Sequence, residues 1–227
     1  MDRGRSQGSL AQQDGLMSFY PEVMPHTQQM VLRQVGPLAA ERGFYLAGGT
    51  AIAIQIGHRR SVDLDWFTTG EIVDPMALAT DLRRSGLPFE VSGLEKGTLH
   101  GSAQGVKLSF LEYRYRELAE PLEWTEYQAR LAALEDLACM KLSAIGHRGA
   151  KKDFIDIYAL GREHFTLGEM LEFHKRKHEL SDVGHTVFAL TYFDDAEDED
   201  TPEMLWQIEW EEVKGTIEGW VRDYARR

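Results

Sequence analysis

Hydrophobic residues along this 227-residue chain recur first at helical spacing and then at strand spacing. Met24, Met30, Val31, Val35 and Leu38 predict a helix over 24–42, with Gly43 as its stop. Phe44–Ala47 reads as a short buried strand, and Thr50–Ile56 as a short helix ended by Gly57. Val62–Phe67 alternates apolar and polar residues like a half-buried strand. Pro75 opens another helix carrying Met76, Leu78, Ala79 and Leu82, which ends near Gly86. Segments 89–94, 98–103 and 106–113 read as strands joined by short glycine-containing turns.

Beyond Leu131 the pattern is mainly helical, over 134–146, 151–163 and 166–178, with further helices around an acidic loop. The last predicted helix, 203–225, has Trp206, Trp210, Val213, Ile217 and Trp220 on one stripe, read as core packing rather than a base-stacking platform. The order of elements predicts an α+β fold, a mixed sheet with flanking helices followed by a helical C-terminal region. Residues 1–14 are expected to be disordered, 15–130 to form the α/β core, and 131–227 the helical region.

Composition narrows the class. Hydrophobic content of 43% and charged content of 27% are those of a globular domain. No apolar run approaches a membrane span of roughly 18 residues, and the N-terminal residues lack a signal-peptide stretch, so no membrane partner is expected. The single cysteine, Cys139, excludes an internal disulfide and fits a reducing, cytoplasmic setting; its apolar neighbours mark it as a buried, inert thiol. The net charge of −12 argues against nucleic acid at first sight. From Glu179 onward, however, 14 acids face 4 bases, centred on Asp194–Asp200 and read as a solvated loop, so the preceding part is nearly balanced.

The chemistry is concentrated in Gly48-Gly49-Thr50 and in Asp63-Leu64-Asp65, which begins thirteen residues after Thr50. Acids at i and i+2 on a strand point to one face, where they repel unless a divalent cation lies between them. Carboxylate oxygens suit Mg²⁺, which commonly takes one or two carboxylates plus substrate phosphates. A Gly-Gly-hydroxyl turn before a helix lets backbone approach a phosphate closely. The combination points to a metal-bound nucleoside triphosphate.

The stretch from Leu46 to Phe67, with its GGT turn, His58-Arg59-Arg60-Ser61 and Asp63/Asp65, resembles the nucleotidyltransferases of the AbiEii/AbiGii toxin family, within the DNA polymerase β-like superfamily. A second block, Leu134–Ile145 with Arg148 and Lys151–Tyr158, resembles that family's downstream lysine and aspartate motifs. The resemblance spans about residues 25–165 and implies a polymerase β-like nucleotidyltransferase core. It also implies that Asp63 and Asp65 bind Mg²⁺, with Mn²⁺ as an alternative. Gly48, Gly49 and Thr50 would hold the NTP substrate, and His58, Arg59 and Ser61 would contact phosphate or stabilise the loop. Lys141 would reach the nucleotide phosphates. Asp156 is taken as the inward acid of its helix, and Asp153 as an acid of the first turn, although the two assignments are interchangeable on sequence.

The family implies transfer of a nucleoside monophosphate to a hydroxyl acceptor, with tRNA as the leading acceptor, by the toxin of a toxin–antitoxin or phage-defence pair with a cognate antitoxin. One departure stands out. Polymerase β-like enzymes carry a third carboxylate on a later strand, and Ser109 occupies that position here; Glu112 falls on the opposite face. A small-molecule (antibiotic-type) nucleotidyltransferase and a degenerate nucleotide-binding module therefore stay open as readings. Lys151, Lys152 and His174–His178 are the basic concentrations, either solvated helix ends or a strip for an RNA backbone.

Overall fold

The computed structural model describes residues 18–226; the expected disorder of 1–14 lies outside the described residues. The chain runs α1 (His26–Glu41), β1 (Tyr45–Ala47), α2 (Gly48–Ile56), β2 (Asp63–Thr68), α3 (Pro75–Arg84), β3 (Glu90–Glu95), β4 (Thr98–Ala103) and β5 (Val106–Glu112). Two short strands follow, β6 (Leu122–Trp124) and β7 (Ala129–Leu131). The remainder is α4 (Leu134–His147), α5 (Lys151–Glu163), α6 (Leu167–His178), α7 (Gly184–Ala189), α8 (Asp194–Glu197) and α9 (Trp210–Ala225).

One mixed sheet of order β3-β4-β5-β2-β1-β7-β6 organises the molecule. β2 pairs antiparallel with β1 and parallel with β5, with Asp65 beside Ala47 on one side and beside Ser109 on the other. The predicted α+β class with a mixed sheet and flanking helices is what forms. β6 and β7 were not anticipated, because three-residue strands are too short to show a period; β7 forms because Leu131 pairs in parallel with Leu46 on β1.

Local chemistry sets the element boundaries. Asp74 caps α3 by accepting from the Met76 and Ala77 amides at 2.9 and 3.0 Å, with Pro75 at the first helical position. Thr166 and Glu169 form a reciprocal capping box on α6. On β2, Leu64 and Trp66 are fully buried, and Trp66 stacks on Phe110 at 6.4 Å, while Asp63 and Asp65 occupy the opposite, half-buried face. A one-residue slip of β2 would drive both acids into that core, so the hydrophobic face pins the register that aims the acids.

The final helix starts at Trp210, not at 203 as the apolar pattern suggested. Residues 203–206 are not helical because their backbone straps the loop before β2: the Arg60 amide donates to the Glu203 carbonyl at 2.8 Å, and the Leu205 amide to the His58 carbonyl at 2.9 Å. Trp206 accordingly leaves the stripe and sits edge-on to His58, with ring centroids 5.8 Å apart. Trp220 stays on the stripe, stacked on Tyr158 of α5, and Val213 and Ile217 are fully buried. The acidic stretch is not all loop, since Asp194–Glu197 forms the one-turn α8. Among the described residues no helix is long and apolar enough to cross a membrane.

Candidate active site

The site is built where β1 turns into α2. Gly48 has φ +68°, a left-handed conformation that glycine adopts without a Cβ penalty, and a Cβ there would lie 3.0 Å from Asp65 Oδ2. A Cβ on Gly49 would collide with Arg59 Nη2. Both glycines are thus required by close approach, one to an acid and one to a guanidinium. The α2 N-terminus has no side-chain cap, which leaves its first amides without that partner beside a cavity of about 660 Å³. Gly48, Gly49, Ser61, Asp63, Asp65 and Ser109 are among the residues lining that cavity.

Neither Asp63 nor Asp65 has an ion-pair partner among the described residues. Burial raises the Asp65 carboxyl above its ordinary value, and the charge of Asp63 adds to this, while a hydrogen bond from Ser109 opposes it. Two carboxylates on one strand face with no ion-pair partner are costly without a cation, so the donor set fits a hard divalent ion. No group of three or more His, Cys, Asp or Glu suited to a metal occurs among the described residues, so substrate oxygens and water would complete the coordination. Ser109 stands in the third-acid position, beside Asp65, and its hydroxyl lies 3.2 Å from His100 Nδ1. Glu112 faces away, accepting from the Ile72 amide at 2.7 Å and pairing with Arg114.

Behind the cradle lies a buried ionic network centred on Asp156, which has no exposed side-chain surface. Its carboxylate meets Arg59 Nε at 2.7 Å, Arg59 Nη2 at 2.9 Å, His58 Nε2 at 2.7 Å and Lys141 Nζ at 2.6 Å. Lys141 also bonds Asp153 at 2.7 Å, and Asp153 in turn holds Arg148 at 2.8 Å. Burial alone would raise the Asp156 carboxyl, but Arg59 and Lys141 hold it well below the usual carboxylate range. Burial pushes the His58 imidazole down despite Asp156, so the ring is neutral and donates through Nε2, with Nδ1 unpartnered.

This geometry revises several sequence expectations. Asp153 and Asp156 both point inward, so the contrast drawn between them does not hold; the helix turns both toward Lys141, which is long enough to bridge them. Lys141 is nearly buried between two carboxylates and also lines the cavity, where the sequence places it. His58 is fully buried behind the cradle and does not line the cavity, because Asp156 and the 203–206 strap hold it there. The Thr50 hydroxyl, beside the cavity, donates to the Asp63 carbonyl and shares a 2.6 Å bond with Ser61, tying the helix to the acid strand. The 174–178 strip is divided, since His174 and Lys177 are buried and Lys177 pairs with Asp136. Lys152 was read only as part of a basic cluster. It is exposed, lines the cavity without an ion pair among the described residues, and lies close enough to lower the Asp65 carboxyl. Its signal, a lysine on the first turn of α5, is too common to single out from sequence.

The mixed sheet with its flanking helices is that of the nucleotidyltransferase fold. Solved structures share it: the crystal structure of JHP933 from Helicobacter pylori matches with a TM-score of 0.53 and 15% identity over 90% of this chain and 92% of its own. MenT4, the nucleotidyltransferase toxin Rv2826c from Mycobacterium tuberculosis H37Rv, has a TM-score of 0.54 and 12% identity over 87% of this chain and 83% of its own. No protein-family model matches the chain. Uncharacterized protein aq_aa25 of Aquifex aeolicus (strain VF5) is 38% identical over 200 residues, covering 87% of this chain and 95% of that protein. The chain belongs to the family of that Aquifex protein.

Proposed function

We propose that this protein is a nucleotidyltransferase that moves a nucleoside monophosphate from an NTP to a hydroxyl acceptor. The observation that carries the reading is the unpaired Asp63/Asp65 couple set against the Gly48–Gly49 cradle and a cationic wall of Arg59, Arg148 and Lys152. Asp63 and Asp65 would hold Mg²⁺, or Mn²⁺, which would neutralise charge on the triphosphate. The α2 amides and Lys152 would orient the phosphates, and the Asp156 network would keep Arg59 rigid beneath Gly49. The acceptor oxygen forms a bond to the α-phosphorus as the bond to pyrophosphate breaks, in a site that acts mainly by positioning and electrostatics.

The resemblance to the AbiEii/AbiGii toxin family, together with a fold shared with a nucleotidyltransferase toxin, favours a macromolecular acceptor, with tRNA first, and a cognate antitoxin as partner. Incubating the purified protein with Mg²⁺, total cellular RNA and each α-labelled NTP in turn tests this. Label should enter RNA and vanish with Asp63→Ala. Absence of label from RNA, protein and small molecules alike refutes the activity, and label confined to small molecules moves the acceptor to the antibiotic-modifying class. Ser109 beside Asp65 favours a second reading, a module that holds nucleotide without turnover. Calorimetry showing Mg-dependent NTP binding with no pyrophosphate release would support it.

A further inference from the structure

A second cavity of about 660 Å³ lies against the first, and Met140 lines both. One part of its wall is aromatic, with Asp182 also among the lining residues: Tyr115 packs against Tyr113 at 5.0 Å and edge-on to His178 at 4.5 Å. Tyr115 is 48% exposed, and its ring is not closed off by the core. Burial and the neighbouring His174 and Lys177 lower His178 to about 4, so this ring is neutral near pH 7 and offers a π-face rather than a charge.

The path between the two cavities is a single strand face. Ser109 and Leu111 line the first cavity and Tyr113 the second, at i, i+2 and i+4. The Tyr113 amide donates to the Thr68 carbonyl at 2.8 Å, so the extended path continues past the end of β5. Four residues of strand place the aromatic wall roughly 13 Å from the Ser109 row.

Beyond Tyr115 and His178 lies an adjoining depression of about 540 Å³, lined among others by Arg116 and Arg176. Both arginines are exposed and have no ion pair among the described residues, whereas neighbouring Arg114 is held by Glu112 and Lys177 by Asp136. Glu117 and Glu179 share that rim without pairing to either arginine among the described residues, so Arg116 and Arg176 remain open to an anion. Stackable rings flanked by unpaired guanidinium groups form a combination that suits a single-stranded nucleic acid, with base–aromatic stacking in the cavity and phosphates on the rim.

We propose that the second cavity receives a nucleobase of a single-stranded RNA acceptor, stacked on the exposed Tyr115 ring, while Arg116 and Arg176 take the adjoining phosphates and the strand end points along β5 toward Asp65. The inference rests on the nucleotidyltransferase reading only for the direction of the strand; the binding site stands on its own contacts.

Fluorescence anisotropy of a short labelled single-stranded RNA with the full chain tests it. Tyr115→Ala should weaken binding by about five- to hundredfold with an unchanged melting temperature, and Tyr115→Phe, which keeps the ring, should bind like wild type. Arg116→Gln and Arg176→Gln should each flatten the slope of log affinity against log salt by about 0.7. Equal affinity of Tyr115→Ala and wild type overturns the proposal, as does a wild-type protein that binds no RNA. Asp63→Ala keeps the two ideas apart. If it still transfers label while the Tyr115 contrast persists, the activity assigned to Asp63 falls and the RNA site stands. If transfer is lost with Asp63→Ala but Tyr115→Ala binds normally, the RNA site falls and the activity stands.

Discussion

Replacing Asp156 by Asn removes one negative charge from a point that four contacts converge on. In the protein Asp156 carries two bonds from Arg59, one from His58 and one from Lys141, all between 2.6 and 2.9 Å, with no side-chain exposure. The variant keeps the shape but leaves Arg59 buried with no counter-charge and Lys141 with Asp153 alone. Removing one partner of a buried pair costs about 3–5 kcal/mol, because the remaining charge stays desolvated. At about 2–4 °C per kcal/mol for a chain of this size, the melting temperature should fall by roughly 6–20 °C. Urea denaturation should show a lower midpoint at constant slope. The folded fraction should also bind NTP more weakly, since a released Arg59 no longer sits fixed under Gly49. An exposed pair supplies the control: Glu203→Gln, opposite Arg60 and 69% exposed, should leave stability within about 0.5 kcal/mol. A loss below about 1 kcal/mol for Asp156→Asn would show that the network is not a desolvated keystone and would refute the reasoning.

Asp65→Asn should abolish nucleotide transfer without lowering the urea midpoint, because burial and Asp63 already disfavour its charge; a destabilised variant would contradict that electrostatic picture. Gly49→Ala should cost about 1–3 kcal/mol and weaken NTP binding, since the new Cβ meets a guanidinium that Asp156 does not let move. Lys152→Ala should raise the KM for NTP several-fold at unchanged stability, whereas Lys141→Ala should chiefly destabilise; steady-state kinetics beside thermal melts separate the two. Acid unfolding should follow the buried groups. Asp153 and Asp156 are held below the ordinary carboxylate range, so the stability they contribute is full above about pH 4 and is lost as pH falls through their folded-state values. His58 is held below its ordinary value, so the unfolded chain takes up its proton first and stability also declines below about pH 6.5. A circular-dichroism titration in which Asp156→Asn and wild type run parallel on the acid side would contradict this assignment.

The parts of the site legible in advance are those set by local rules. Strand alternation puts Asp63 and Asp65 on one face whatever surrounds them, and Gly48 sits where backbone must turn through positive φ. Ser109 takes its position from the family resemblance, and in the sheet it pairs beside Asp65. What local rules could not show depends on distant partners. Lys141 lines the cavity and is also held by two acids that α5 brings against it. Trp206 fits a helical stripe until the backbone of 203–206 pairs with the loop before β2.

Sequence by itself determined the α+β class, the acid pair, the glycine turn and the helices, because periodicity, caps and glycine conformations act over a few residues. Only the tertiary structure decided which charges face the cavity and which neutralise one another inside. Asp156, Arg59, His58 and Lys141 lie up to 98 residues apart and pair solely because packing removes water from between them. Desolvation makes an unpaired charge so costly that the fold, not the local chain, assigns each its partner.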